Sequence, residues 1–68
     1  MNRKQPTPAA AEYTRKLVVA AGIAAAAWTR GGLDEMEESL RCLRRAEADP
    51  VVLAEVERLY HRQCLQVA

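Results

Sequence analysis

The sequence is short of the residues that usually give a small domain its core or its chemistry. It has 68 residues, no phenylalanine, one tryptophan and two tyrosines. A domain of this size buries a modest fraction of its surface, so a core with few aromatics is marginal alone. Disulfides are one remedy, but two cysteines, Cys42 and Cys64, make no disulfide framework. Metal is another. His61 is the sole histidine, and with Cys64 and Cys42 it still lacks the fourth ligand of a structural zinc site. No metal and no cofactor is therefore expected. The remaining remedy is association with a second helical surface.

Charge of one sign is also missing. The formal net charge is +1 at pH 7, whereas a dedicated nucleic-acid binder usually carries a stronger basic excess. Long apolar runs are absent too. Arg15 and Lys16 precede an apolar stretch from Leu17 to Trp28 that resembles a signal sequence. It is twelve residues long and rich in alanine, short of the roughly 20 that a membrane span needs. The expectation is a cytoplasmic protein, with a membrane-associated one as an alternative. No phosphate loop, dinucleotide fingerprint or metalloprotease helix occurs, and no serine or cysteine is paired in sequence with His61. No enzyme activity is expected.

What is present is helix. Half of the residues are apolar, so the chain has the composition of a folded protein. Residues 1–7 read as a flexible tail and 8–68 as one helical domain. Thr7-Pro8 is a cap followed by a proline at the first helical position, and Asp49-Pro50 repeats it. Gly31-Gly32 interrupts the first helix and either ends it or kinks it. Asp34 and Glu37 form a capping-box-like start to the second. Helices are predicted at about 8–30, 33–48 and 50–67. The fold class is all-α: an antiparallel helical hairpin with an alanine-rich first helix, in a dimeric helix bundle.

The apolar patterns set the faces. Leu33, Met36, Leu40 and Leu43 form one stripe of the second helix. Its acidic residues come first and Arg41, Arg44 and Arg45 last, which suits the helix dipole. In the third helix Val52, Leu53, Val56, Leu59, Tyr60 and Val67 share a broad face, with Gln63 within it. Arg58, His61, Arg62 and Leu65 lie on the other side and are the candidate partner-binding residues.

The first helix is apolar on too many sides. At about 100° per residue, Tyr13, Leu17, Ala21, Ala24 and Trp28 share one face, while Val19 and Ile23 point nearly opposite. Gly22 and Ala26 lie between. A helix apolar all round belongs inside something. The expected homodimer interface is Leu17, Val19, Ala21, Gly22, Ile23 and Trp28, with small residues allowing close approach.

Two resemblances add to this. The charged helix, the Asp-containing turn and a last helix carrying Leu59-Tyr60 and Cys64-Leu65 resemble the Rop family of plasmid copy-number proteins over less than half of the chain. That likeness implies a dimeric hairpin that binds paired RNA; separately, Arg41, Arg44 and Arg45, joined by Arg58 and Arg62 if the second and third helices pair, form a basic patch that would serve as the RNA grip. In size, alanine and arginine usage and hairpin layout, the chain also resembles small early proteins of Pseudomonas phages, among them a quorum-sensing anti-activator. That likeness implies a phage-encoded protein in the host cytoplasm. It would bind and inhibit a host protein, such as a LuxR-type transcriptional activator, through a dimeric helical surface.

Overall fold

The computed structural model describes residues 7–68, so six of the seven residues read as a tail, 1–6, lie outside the described residues. Two helices account for nearly all of them: α1, Pro8–Arg45, and α2, Pro50–Val67. No strand occurs among the described residues, and the fold is all-α.

Thr7 starts α1 as its residue type suggests. Its side-chain hydroxyl accepts from the Ala10 amide at 3.1 Å, and its carbonyl accepts from the Ala11 amide at 2.9 Å. Proline then occupies the first helical position.

Gly31-Gly32 is a true break, although helical hydrogen bonding runs up to it from both sides. Gly31 has φ −166° and ψ 20°, and Gly32 has φ 68° and ψ −145°. The second pair is a conformation open in practice to glycine alone. The break divides α1 into two arms, 8–30 and 33–45, and the second folds back along the first. Ala20 and Leu40 show this. In a straight helix they would stand about 30 Å apart; here they are buried in one cluster with Val52 and Val56. Asp34 and Glu37 do not form the expected capping box. Among the described residues Asp34 makes no capping hydrogen bond, and the glycine pair alone turns the chain.

The second arm ends at Arg45, three residues before the expected boundary. The Ala48 amide donates to the Leu43 carbonyl at 3.0 Å and the Glu47 amide to the Arg44 carbonyl at 3.1 Å. This is the Schellman pattern, and it closes the helix once its first residue outside turns left-handed. That residue is Glu47, at φ 51°, where glycine is more usual. Asp49 then caps α2, its Oδ1 accepting from the Val51 amide at 2.8 Å and the Val52 amide at 3.4 Å.

The result is three helical rods around one interior, each antiparallel to the one before it. Ala20, Leu40, Val52 and Val56 form its first cluster, against which Ile23, Leu43, Leu53 and Tyr60 pack. Ala24, Ala27 and Met36 form the second, with Leu33, Leu59 and Tyr60 against it. Tyr60 belongs to both and joins them. Burial of each large side chain among these contributes roughly 1.5–3 kcal/mol. The buried line of the first arm is Ala20, Ala24 and Ala27. It runs between the two apolar faces expected from the sequence, because alanines let the other rods approach closest there. Among the described residues no polar or charged residue is buried.

Candidate interaction surfaces

The first arm buries its alanine line and leaves the opposite side bare. Val18 is 65% exposed and Val19 48%, and Ala11, Gly22, Ala25, Ala26 and Thr29 are exposed as well. On the helical wheel Val18, Gly22, Ala25 and Thr29 follow a 4-3-4 spacing, which is one straight stripe. A Cβ built on Gly22 would meet nothing within 4 Å. The residues expected at a dimer interface divide. Val19, Ala21, Gly22 and Trp28 are exposed, whereas Leu17 and Ile23 are half-buried. Ile23 packs against the chain's own core, so the second apolar side of this helix is partly covered without a partner. The fold-back at Gly32 does this; a simple two-helix hairpin would not.

A second surface lies where the first arm meets α2. An open groove of about 330 Å³ is lined by Ala21, Ala24, Trp28, Leu59, Arg62 and Gln63, with Ala25, Met36 and Gln66 completing it. Gln63, expected within an apolar face, is half-buried at its edge. The four residues expected to bind a partner share one side of α2: Arg58, His61, Arg62 and Leu65 are all exposed, Leu65 at 80%. Spacings of three and four along the helix place them together. The His61 ring sits beside Tyr60, 5.7 Å between centroids at 49°.

The charges on these surfaces are mostly committed. Arg58 forks onto Glu55, with Nε 2.8 Å from Oε1 and Nη2 2.7 Å from Oε2. These hydrogen bonds, and the guanidinium charge, hold the Glu55 carboxyl below its usual range. Arg41 donates to Glu38 at 3.0 Å and to Glu37 at 3.2 Å. Arg45 lies 3.5 Å from Glu38, and Arg44 pairs with Glu57 across to α2. Arg41 chiefly, with Arg45, holds the Glu38 carboxyl down. Of the arginines expected as an RNA grip, Arg41, Arg44, Arg45 and Arg58 are thus matched by carboxylates. Among the described residues Arg62 alone of the lysines and arginines has no carboxylate within 4.0 Å.

Sequence reasoning missed the contact between Tyr60 and Glu37. The Tyr60 hydroxyl donates to Glu37 Oε2 at 3.1 Å, linking α2 to the second arm. The neighbouring Cys64 thiol, and then the Glu37 carboxylate, push the phenol up to about 12. The contact spans 23 positions, which no local pattern reveals. Cys42 and Cys64 are both free thiols, and no group of three metal-binding side chains occurs among the described residues. No helix among them is long and apolar enough to cross a membrane. No protein family, curated protein or solved structure matches the chain.

Proposed function

We propose that the chain is a small non-enzymatic regulator that works by occupying the surface of another protein. The observation that carries this reading is the outer face of α2. There Leu65, 80% exposed, stands with His61 and with Arg62, whose charge has no partner among the described residues. Arg62, with Trp28 in the same groove, supplies the residue types enriched in protein-binding hot spots, and Leu65 adds exposed apolar area beside them. The adjoining groove, with Trp28 and Leu59 in its walls, extends the apolar area a partner would cover. Pairing of Arg41, Arg44 and Arg45 with carboxylates supports a protein partner over an RNA one, because phosphate binding would have to displace those pairs.

The mechanism is steric inhibition in a bacterial host's cytoplasm, and a LuxR-type activator is the target class that the phage-protein resemblance implies. The test is a quorum-sensing reporter strain expressing the chain. Repression by the parent protein, lost in an Arg62→Glu, Leu65→Asp variant that keeps its helicity, supports the reading. An unchanged reporter, or repression equally strong in the variant, refutes the α2 face as the inhibitory surface.

A further inference from the structure

We propose that the bare side of the first arm is covered by a second copy of this chain, packed antiparallel across Gly22. This deepens the reading above by naming a partner for the arm that the α2 surface leaves unused.

Two charges bracket the stripe. Glu12 and Arg30 are eighteen residues apart, five full helical turns, so they project in the same direction from the two ends of the arm. Both lie on one flank of the Val18–Gly22–Ala25–Thr29 line. A two-fold axis that relates antiparallel helices brings like flank to like flank. Its centre must fall midway between paired positions, and residue 21 is midway between Glu12 and Arg30. In that register the Glu12 carboxylate of each copy, paired in its own chain with Arg15, meets the Arg30 guanidinium of the other, which in its own chain lies 3.6 Å from Glu35; both side chains are exposed, so each pair becomes shared, twice over by symmetry. A parallel pair instead sets Glu12 against the flank of Ala10 and Thr14, which holds no cation.

The apolar residues agree with the same centre. Val18 and Ala25 are equidistant from a point between Ala21 and Gly22, so each valine meets the other copy's alanine, large against small. Gly22 sits where the helices cross, and the open space around its Cα lets a second backbone come close. Arg15, paired in its own chain with Glu12, falls near the other copy's residues 27–29. There the break at Gly31-Gly32 closes the arm and leaves the negative end of its dipole. The covered side lies opposite Ala20, Ala24 and Ala27, so pairing disturbs none of the core and leaves Arg62 and Leu65 free.

The experiment is sedimentation of the purified full chain, with no other protein present, at tens of micromolar. The parent is expected at dimer mass. Gly22→Leu, which has room for its side chain within one copy, is expected to keep its helicity and sediment as a monomer. Glu12→Arg and Arg30→Glu should each weaken the dimer by roughly three- to tenfold, and the double exchange Glu12→Arg, Arg30→Glu should restore it. Monomer mass for the parent, a dimer insensitive to Gly22→Leu, or a double exchange no better than the single ones would each overturn the proposal. None of these outcomes depends on the reporter assay, so the inhibitory reading and the dimer stand or fall separately.

Discussion

The Lys16 ammonium lies 2.7 Å from Asp49 Oδ2, tying the first arm of α1 to the cap of α2. One carboxylate thus serves two elements: Oδ1 receives the first amides of α2 and Oδ2 receives the lysine. The Lys16 hydrogen bond, then the two backbone amides, hold the Asp49 carboxyl below its usual range. A depressed folded value means the ionised form is favoured by folding. Its contribution is present above the ordinary carboxylate range, near about pH 4, and is lost as pH falls through the folded value. Helicity followed by circular dichroism during acid titration is expected to drop through this range. In Lys16→Met the Asp49 contribution shrinks, so acid unfolding should begin at a higher pH than in the parent.

Tyr60 gives the opposite limb. Its folded value is raised to about 12, against about 10 unfolded. The neutral phenol is therefore favoured by folding, with its contribution intact below pH 10 and lost as pH rises through 12. Ultraviolet absorbance should show one phenol ionising late, together with loss of helix. Tyr60→Phe should remove that late step and flatten the alkaline dependence of stability.

The three glycines of α1 should respond to alanine with different signs. Gly22→Ala gains helix propensity in open space, about 0.8–1 kcal/mol for the single copy. Gly31→Ala places a Cβ 3.2 Å from Glu35 Cβ, so Glu35 must shift and a small loss is expected. Gly32→Ala is forced into φ 68°, ψ −145° and should cost at least about 1–3 kcal/mol. Thermal unfolding of the three variants should rank them in that order, measured below the concentration at which copies associate.

Glu47→Gly should stabilise. Glu47 holds the left-handed position of a Schellman end at φ 51°, which costs a residue with a Cβ about 1–2 kcal/mol. Its side chain has no hydrogen bond or ion pair among the described residues, so little is lost on replacement. The midpoint of thermal unfolding is expected to rise by about 4–8 °C per kcal/mol gained. An unchanged or lower midpoint would show that the glutamate contributes something the left-handed cap does not account for.

Ile23→Glu and Val18→Glu separate core from surface. Ile23 is half-buried against the interior, so a carboxylate there should unfold the chain in part, with loss of helicity. Val18 is 65% exposed, and its substitution should leave the fold intact. Circular dichroism distinguishes the two.

Much of this was legible in the sequence because the signals were local. Thr7-Pro8 and Asp49-Pro50 cap and start helices as their chemistry dictates, and Leu33, Met36, Leu40 and Leu43 face inward on the second arm as their spacing requires. The four outward residues of α2 share a face for the same reason. What escaped was set by distance. Whether Gly31-Gly32 ends the first helix or only kinks it depends on whether Ala20 can pack with Leu40, twenty residues on. From the sequence alone Ile23 therefore needs a partner, whereas in the fold it packs against the chain's own core. Which side of an alanine-rich helix is buried is equally hidden, since alanine favours helix on every face alike. The early stop at Arg45 arose from a glutamate in a position that glycine would have announced.

The alanine line at Ala20, Ala24 and Ala27 also fixes how this protein can change. Alanine loses no rotamer freedom on burial, so the tightest seam of the bundle forms at little entropic cost. The same seam has no slack: Ala20 and Ala27 are 0% exposed, and one added methyl group would wedge the rods apart. Substitutions are thereby tolerated on the exposed faces of the first arm and of α2 rather than along this seam.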